Sequence, residues 1–224
     1  MKRNAQQRRS LLKQASLAAL LGGAGITSLI GRVLAAGGDP ARPGIRRMSG
    51  QVSVNGAPAH ANLLIQPGDT VVTEAASEAI YVIGQDAFLQ RAASRVSFGD
   101  GAAAGVLRVV TGRLLSVFAV GERRIETPTA TIGIRGTGCY IEAEAERVYF
   151  CLCYGVAELT PTAAPQEREV IRTKHHDKPQ YIYNDMKMPK MSVPAEVINH
   201  RDEELEMLEA LVGRRPPLER LGGY

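Results

Sequence analysis

Short apolar runs alternate with turn signals along most of the chain. Turn pairs stand at Asn55-Gly56, Pro67-Gly68 and Gly99-Asp100, and each separates two runs in which apolar and polar residues alternate. This spacing is typical of short strands joined by tight turns. It predicts a mainly β fold, a β-sandwich or a short β-roll of about ten strands, with one C-terminal α-helix.

Composition divides the chain into four segments. The segments are a basic leader over 1–36, a linker rich in Gly, Pro and Arg over 37–47, a β domain over 48–160 and an extension over 161–224. The expected strands of the β domain are 50–54, 70–74, 78–83, 87–90, 95–98, 105–111, 113–120, 125–127 and two strands that carry the cysteines. In the extension, the pattern predicts short strands at 170–172 and 181–183.

The clearest helix of the chain is predicted over 200–212. Its apolar residues recur at helical spacing, at Leu205, Leu208, Leu211 and Val212. Asn199 suits the N-cap, and Gly213 with the prolines that follow ends the helix. We expect the apolar stripe to pack on the β domain.

All three cysteines lie in one predicted hairpin. Its strands alternate between apolar and polar residues, and the acidic segment 144–146 predicts a three-residue loop. With that loop, Cys139 opposes Cys151, and Cys153 lies diagonal to Cys139. Because side chains alternate along a strand, the three thiols then share a face. A register shift of one residue would remove this arrangement.

Three interpretations of the cysteine hairpin stay open. In the first, Cys139 and Cys151 form a disulfide that stabilises a structural scaffold, and Cys153 is a small buried apolar residue. In the second, the three thiolates and one imidazole form a closed Cys₃His site of the kind that zinc prefers, with cuprous copper or iron as alternatives. In the third, the thiols are isolated and have no joint role.

The histidines that follow the hairpin are the candidate imidazole ligands: His175, His176 and His200. The first two lie in the polar stretch TKHHDKPQ, which also suits a solvated turn with diverging side chains. His200 begins the predicted helix, where a positive charge is unfavourable, so a neutral imidazole that binds a ligand is one interpretation. An exposed residue of the first helical turn is the other.

No catalytic motif surrounds these residues. Cys153 and His175 would supply a thiol and an imidazole, but neither lies in a cysteine-hydrolase signature. The spaced glycines from Gly133 to Gly138 lie between strands, whereas a phosphate-binding loop leads from a strand into a helix. We predict that the protein is not an enzyme.

The N-terminal segment is similar to a twin-arginine export signal. Arg8 and Arg9 precede Ser-Leu-Leu-Lys, an apolar stretch covers 17–34, and Ala35-Ala36 suits cleavage. Glycines dilute the apolar stretch and Arg32 interrupts it, so no stable transmembrane span is expected after cleavage. An uncleaved anchor and a chance arginine pair are the alternatives. The signal predicts a periplasmic or otherwise exported protein, and it implies folding, with any cofactor, before export.

The leader also accounts for the basic charge. The chain has 27 Lys and Arg against 23 Asp and Glu, and six of the basic residues but none of the acidic ones lie in 1–36. The remaining 21 basic and 23 acidic residues give no basic face of the kind that nucleic acid requires. We therefore predict no nucleic-acid partner.

Four stretches resemble a FecR-type domain, a family named for the iron-dicitrate sensor of bacterial envelopes. They are SGQVSVNGAPA at 49–59, IQPGDTVVTEAASEAIYVIGQDAFLQR at 65–91, LRVVTGRLLSVFAVG at 107–121 and TPTATIGIRGTGCYIE at 127–142. The resemblance spans about 47–159 and implies an extracytoplasmic β domain that senses or binds an envelope protein or glycan. The cytoplasmic sigma-factor-binding segment of such regulators is not recognised here, so direct signalling to a sigma factor is not expected. No oligomeric state is indicated.

Overall fold

The computed structural model describes residues 42–218, so the predicted export signal with Arg8 and Arg9 lies outside the described residues. Within them, the chain is mainly β with a single helix near the C-terminus, as predicted, and the sheet is not closed. The strands are β1 Gly44–Ser49, β2 Val52–Val54, β3 Ala57–Pro58, β4 Thr70–Thr73, β5 Glu78–Ile83, β6 Asp86–Gln90, β7 Ser94–Phe98, β8 Val106–Val117, β9 Glu122–Glu126, β10 Ala130–Ala143, β11 Arg147–Pro161, β12 Glu169–Thr173, β13 Gln180–Tyr183 and β14 Ser192–Pro194; the helix is α1 Asp202–Leu211.

Three long strands organise the sheet. Strands β8, β10 and β11 have 12, 14 and 15 residues, and they neighbour each other in antiparallel pairs. The first half of β8 pairs with β7 and, in parallel, with β9, while its second half pairs with β6 and β10. The long strands therefore pass from one group of short strands to another and join them into one sheet.

Strand alternation divides the apolar side chains between two clusters. The inner cluster lies on one face of the β10–β11 hairpin and includes Ile141, Phe150 and Leu152. The helix cluster lies on the other face, where α1 contributes Leu205 and Leu208. The predicted docking of the helix stripe is confirmed, and burial of these leucines contributes about 1.5 to 3 kcal/mol each.

Ion pairs with little solvent exposure also hold the helix. The Arg91 guanidinium lies 2.9 Å from the Glu204 carboxylate, whose side chain is 4% exposed. Near the other end of α1, the Arg214 guanidinium pairs with the Glu209 carboxylate. Both acids lie on the buried side of the helix, so each requires its arginine to offset the loss of water.

The observed boundaries correct two predictions. The strands expected at 105–111 and 113–120 form one strand, β8, in which Gly112 has a φ of +88°. Strand β1 begins at Gly44, inside the expected linker 37–47, and pairs with β5. The short strands predicted at 170–172 and 181–183 are present as β12 and β13, and both pair with β11 in the same sheet.

The start of the helix also differs from the prediction. Arg201 is the N-cap, and its backbone N–H donates to the Glu204 carboxylate at 3.1 Å. Asn199, the expected cap, has a left-handed φ of +56° and donates from its side-chain amide to Glu142. Within residues 42–218, no helix has the length and apolar character needed to cross a membrane.

Candidate metal centre

The cysteine hairpin closes one residue more tightly than predicted. Residues 144–146 lie between the two strands as expected, but the Glu144 amide donates to the Arg147 carbonyl at 2.9 Å. The same register pairs Tyr140 with Cys151 and Cys139 with Leu152. The predicted register, with Cys139 opposite Cys151, is therefore wrong by one residue.

The corrected register places Cys139 on the other face of the sheet. Its side chain belongs to the inner cluster, together with its partner Leu152, and its Sγ lies 3.4 Å from the Ser116 Oγ. Cys151 and Cys153 belong to the helix cluster. All three cysteines are free, and a Cys139–Cys151 disulfide would have to cross the sheet.

Cys151 and Cys153 share one face because side chains alternate along a strand, and a β-bulge lies at Cys153. Gly138 pairs with Tyr154 while the next residue pairs with Leu152, so Cys153 is the extra residue of the bulge. The position of Gly138 requires glycine, because a Cβ there would lie 2.4 Å from the Tyr154 ring. Both Cys151 and Cys153 are 0% exposed.

The turn between β12 and β13, which carries His175 and His176, lies beside a part of β11 that pairs with neither of these strands. The pairing of β13 with β11 ends at Phe150 and that of β12 begins at Gly155. The turn that joins β12 to β13 passes this gap, and the backbone N–H of His176 donates to the Cys153 carbonyl at 3.0 Å. His176 has a left-handed φ of +52°, which directs the turn back toward the strand.

His200 reaches the same point from the start of α1. Its ring stacks on Tyr140, with ring centroids 4.6 Å apart and an interplanar angle of 24°. The residue is 7% exposed. Strand β10, through Tyr140, therefore supports the imidazole that the segment before the helix presents to the cysteines.

Four side chains converge beneath the helix: Cys151, Cys153, His176 and His200. One potential ligand atom from each lies within 4.8 Å of all the others. The Cys151 Sγ is 3.3 Å from the His176 Nδ1, and that nitrogen is 3.1 Å from the His200 Nε2. Two sulfurs and two imidazole nitrogens form the donor set of a Cys₂His₂ site.

The hydrogen bonds of the nitrogens that point away from the cysteines, here called the outer nitrogens, fix which nitrogen of each imidazole carries its hydrogen. The His200 Nδ1 is 2.6 Å from the Ile198 carbonyl, and the His176 Nε2 is 3.0 Å from an Asp202 carboxylate oxygen. Both partners are acceptors, so both of these nitrogens carry hydrogen and donate it. The inner nitrogens of the neutral rings then present lone pairs toward each other and toward Cys151, an arrangement that calls for a metal ion or an added proton.

The electrostatics of the two buried cysteines differ. Hydrogen bonding from the Cys153 thiol, assisted by the two histidines, lowers the pKa of Cys151 despite its burial. Burial and the neighbouring Cys151 raise the pKa of Cys153. Burial opposes a charge on His176, but its hydrogen bonds and attraction to Cys151 and Asp202 raise its pKa. Asp202 thus supports His176 as carboxylates support metal-bound histidines.

The structure brings together four of the six predicted ligand residues. Cys139 lies on the opposite face, and His175 lies outside the buried group, with its Nε2 2.8 Å from the second carboxylate oxygen of Asp202. Sequence reasoning missed Asp202 as a site residue, because an acid in the first helical turn already has a role at the positive helix end. Its only sequence signal is its position two residues after His200.

Comparisons with known proteins assign no family. No family model matches the chain, and no curated protein matches it. Two crystal structures of a protein from Parabacteroides distasonis, provisionally described as an anti-sigma factor, have 9% and 10% sequence identity to this chain and TM-scores of 0.46 and 0.45; each match covers 56% of this chain and 58% of that one. Similarity at this level carries no argument about function.

Proposed function

We propose that the protein is an exported, non-enzymatic binding module that holds one zinc ion through Cys151, Cys153, His176 and His200. The observation that carries this proposal is the pair of inner imidazole nitrogens, 3.1 Å apart, whose outer nitrogens are committed as donors. Their lone pairs converge with two buried sulfurs. All four positions of a tetrahedral zinc ion are thus filled by protein, which is the hallmark of a structural site.

The charge of the complex favours zinc over cuprous copper. Two thiolates balance a divalent ion, and the two imidazoles are neutral, so the zinc complex has no net charge. Cuprous copper with the same ligands would leave one negative charge among Leu205, Leu208 and Tyr140, and an unpaired charge in an apolar cluster is costly.

The burial of the sulfurs argues against catalysis. Cys151, His176 and Asp202 lie in the order of a nucleophile, a base and an orienting acid. However, Cys151 is 0% exposed and lies in the apolar cluster beneath α1. A substrate would have to displace the helix to reach the thiolate, whereas a metal ion fits among side chains already in place.

Elemental analysis combined with thiol titration tests the metal proposal. The protein is purified through its native export route, and thiols are counted after denaturation with a chelator. We expect one zinc per chain and three titratable thiols, with the Cys139→Ser variant keeping the zinc. A protein with no metal and a single free thiol would contradict the zinc site and favour a disulfide scaffold. A protein with no metal and three free thiols would contradict the zinc site and favour isolated thiols.

The sensing role is a separate part of the proposal. Its support is the resemblance of the stretches at 49–59, 65–91, 107–121 and 127–142 to FecR-type domains, together with the twin-arginine-like signal. The module binds an envelope protein or glycan in this proposal, and exposed strand edges are one means of contact. Affinity capture from envelope extracts, with zinc-loaded protein, is expected to recover such a partner. Recovery of none, together with measurable turnover of a substrate, would contradict the non-enzymatic role.

A further inference from the structure

The proposed zinc site is closed to solvent on its cysteine side. Cys151 and Cys153 are 0% exposed, His200 is 7% exposed and the His176 side chain is 8% exposed. A zinc ion loaded after folding must therefore pass residues at the edge of the site. Metal sites require such a path as well as suitable ligands.

Two polar side chains connect the buried site to solvent. The His175 side chain is 26% exposed and the Asp202 side chain is 44% exposed, and their Nε2 and Oδ2 atoms are 2.8 Å apart. Together with His176, they form a second group whose potential ligand atoms all lie within 4.8 Å of one another. We define His175 and Asp202 as the outer pair.

His176 belongs to both groups through different nitrogens. Its Nε2 lies 3.0 Å from the Asp202 Oδ1, on the side of the outer pair. Its Nδ1 lies 3.3 Å from the Cys151 Sγ, on the side of the buried site. The ring therefore separates the two groups by its own width, and an ion held outside is one imidazole away from the cysteines.

We propose that the outer pair is an access site, where His175 and Asp202 capture a hydrated divalent zinc ion before it passes His176 to the cysteines. This proposal rests on the proposed zinc site and adds the route by which that site is filled. The ligands change along the route from carboxylate oxygen and imidazole nitrogen to imidazole nitrogen and thiolate sulfur. Zinc binds well to thiolates, so the order of ligands favours inward transfer.

An access residue and a permanent ligand have different kinetic signatures. Removal of an access residue slows uptake and release by the same factor, because it changes the barrier and leaves the bound state intact. Removal of a ligand, or of a residue that orients one, weakens the equilibrium affinity. His175 separates these cases, since the distances above connect it to Asp202 and not to a sulfur.

Stopped-flow measurement of zinc uptake, and of zinc release to a coloured chelator, tests the access site. The variants are His175→Ala and His175→Gln, and the matched control is His60→Ala, which removes an exposed loop histidine. We expect both His175 variants to slow uptake and release several-fold with an unchanged Kd, while the control keeps the wild-type rates. The unchanged Kd also shows that the variants are folded.

Two results would overturn the access site. Wild-type rates in both His175 variants would show that the ion uses another route. A weakened Kd with wild-type uptake would make His175 part of the bound state. If the wild-type protein binds no zinc at all, the proposed function fails first and the access site fails with it.

Discussion

The two faces of the β10–β11 hairpin place cysteines in opposite environments. On the inner face, Cys139 lies among apolar side chains and its nearest polar partner is the Ser116 hydroxyl. On the helix face, Cys151 lies 3.3 Å from a histidine and beside Cys153. All three thiols are fully buried, so exposure does not distinguish them.

The neighbouring groups of each buried thiol, rather than its burial, decide how readily that thiol ionises. Burial raises the pKa of Cys139 to about 12, with only the Ser116 hydroxyl opposing it. Cys151 has the same exposure, yet hydrogen bonds from Cys153 and two histidines lower its pKa. Cys139 is therefore the thiol that ionises less readily, and Cys151 is the one that ionises more readily within the proposed site.

Substitution of cysteines on the two faces should give the largest contrast. Cys151→Ser or Cys153→Ser is expected to reduce zinc affinity by about 3 kcal/mol or more, since structural zinc sites bind with about 10 to 16 kcal/mol over four ligands. Cys139→Ser on the inner face is the matched control and should keep wild-type affinity. Competition with a chelator of known affinity measures all three. Equal losses in the three variants would remove the distinction between the faces.

Removal of zinc should destabilise the helix face. A ligand that binds only the folded state, at a free concentration of 100 times its Kd, adds about 2.7 kcal/mol to the free energy of unfolding. Thermal unfolding with and without a chelator measures this effect, and Cys151→Ser should show none of it. The ion pair of Arg91 and Glu204 and the leucines of α1 remain without zinc, so the helix should stay formed. An unchanged Tm in the wild type would contradict a structural role.

Asp202→Asn tests the support of the His176 imidazole. The variant keeps a hydrogen-bond acceptor but removes the charge, and loss of such support typically costs 10- to 100-fold in metal affinity. Glu203→Gln, which removes a neighbouring charge on the same helical turn, is the control. Because the carboxylate raises the pKa of His176, the variant should also bind zinc with a changed pH dependence. Equal affinities of the two variants would show that Asp202 does not orient the ligand.

The smallest expected effect is the pH dependence of the free energy of unfolding of the metal-free protein. The lowered pKa of Cys151 stabilises the fold above the ordinary thiol value of 9.0, and this contribution disappears as pH falls through the lowered value. The raised pKa of His176 stabilises the fold below pH 6.5, the ordinary value for histidine. This contribution disappears as pH rises through the raised pKa. Between the two folded pKa values the thiolate and imidazolium coexist.

The ultraviolet absorbance of thiolates, followed against pH, measures the ionisation of Cys151 in the metal-free protein. One thiolate per metal-free chain should persist well below pH 9.0 in the wild type and in Cys139→Ser, and it should be absent in Cys151→Ser. A single titration near the ordinary thiol value would show that the histidines do not act on Cys151.

Sequence patterns predicted the strands of this protein better than their register. The apolar run over Glu78–Ile83 and the helical spacing of Leu205 and Leu208 are local signals, and both predict an element that the structure contains. The register of the cysteine hairpin belongs to the whole ladder of paired residues from Ala130 to Ala143, and a shift of one residue places Cys139 on the other face. Local patterns contain no comparable signal for the register.

The histidines show the same limit at longer range. The sequence identifies the cysteine hairpin and the three histidines that follow it as candidate ligands, but the side chains of His175 and His176 diverge in the turn. The rings of His175 and His176 are inclined by 74°, and only His176 faces the sulfurs. Which of them does so depends on how β12 and β13 pair with β11, and those pairings are set by contacts between distant parts of the chain.

X-ray absorption spectroscopy at the zinc edge measures whether two sulfurs and two imidazole nitrogens hold one zinc ion. Protein purified through the export route and carrying its own metal should show two sulfur ligands at about 2.3 Å and two nitrogen ligands at about 2.0 to 2.1 Å, and Cys139→Ser should give the same spectrum. A zinc ion with three sulfur ligands, or with oxygen ligands only, would contradict the Cys₂His₂ centre described above.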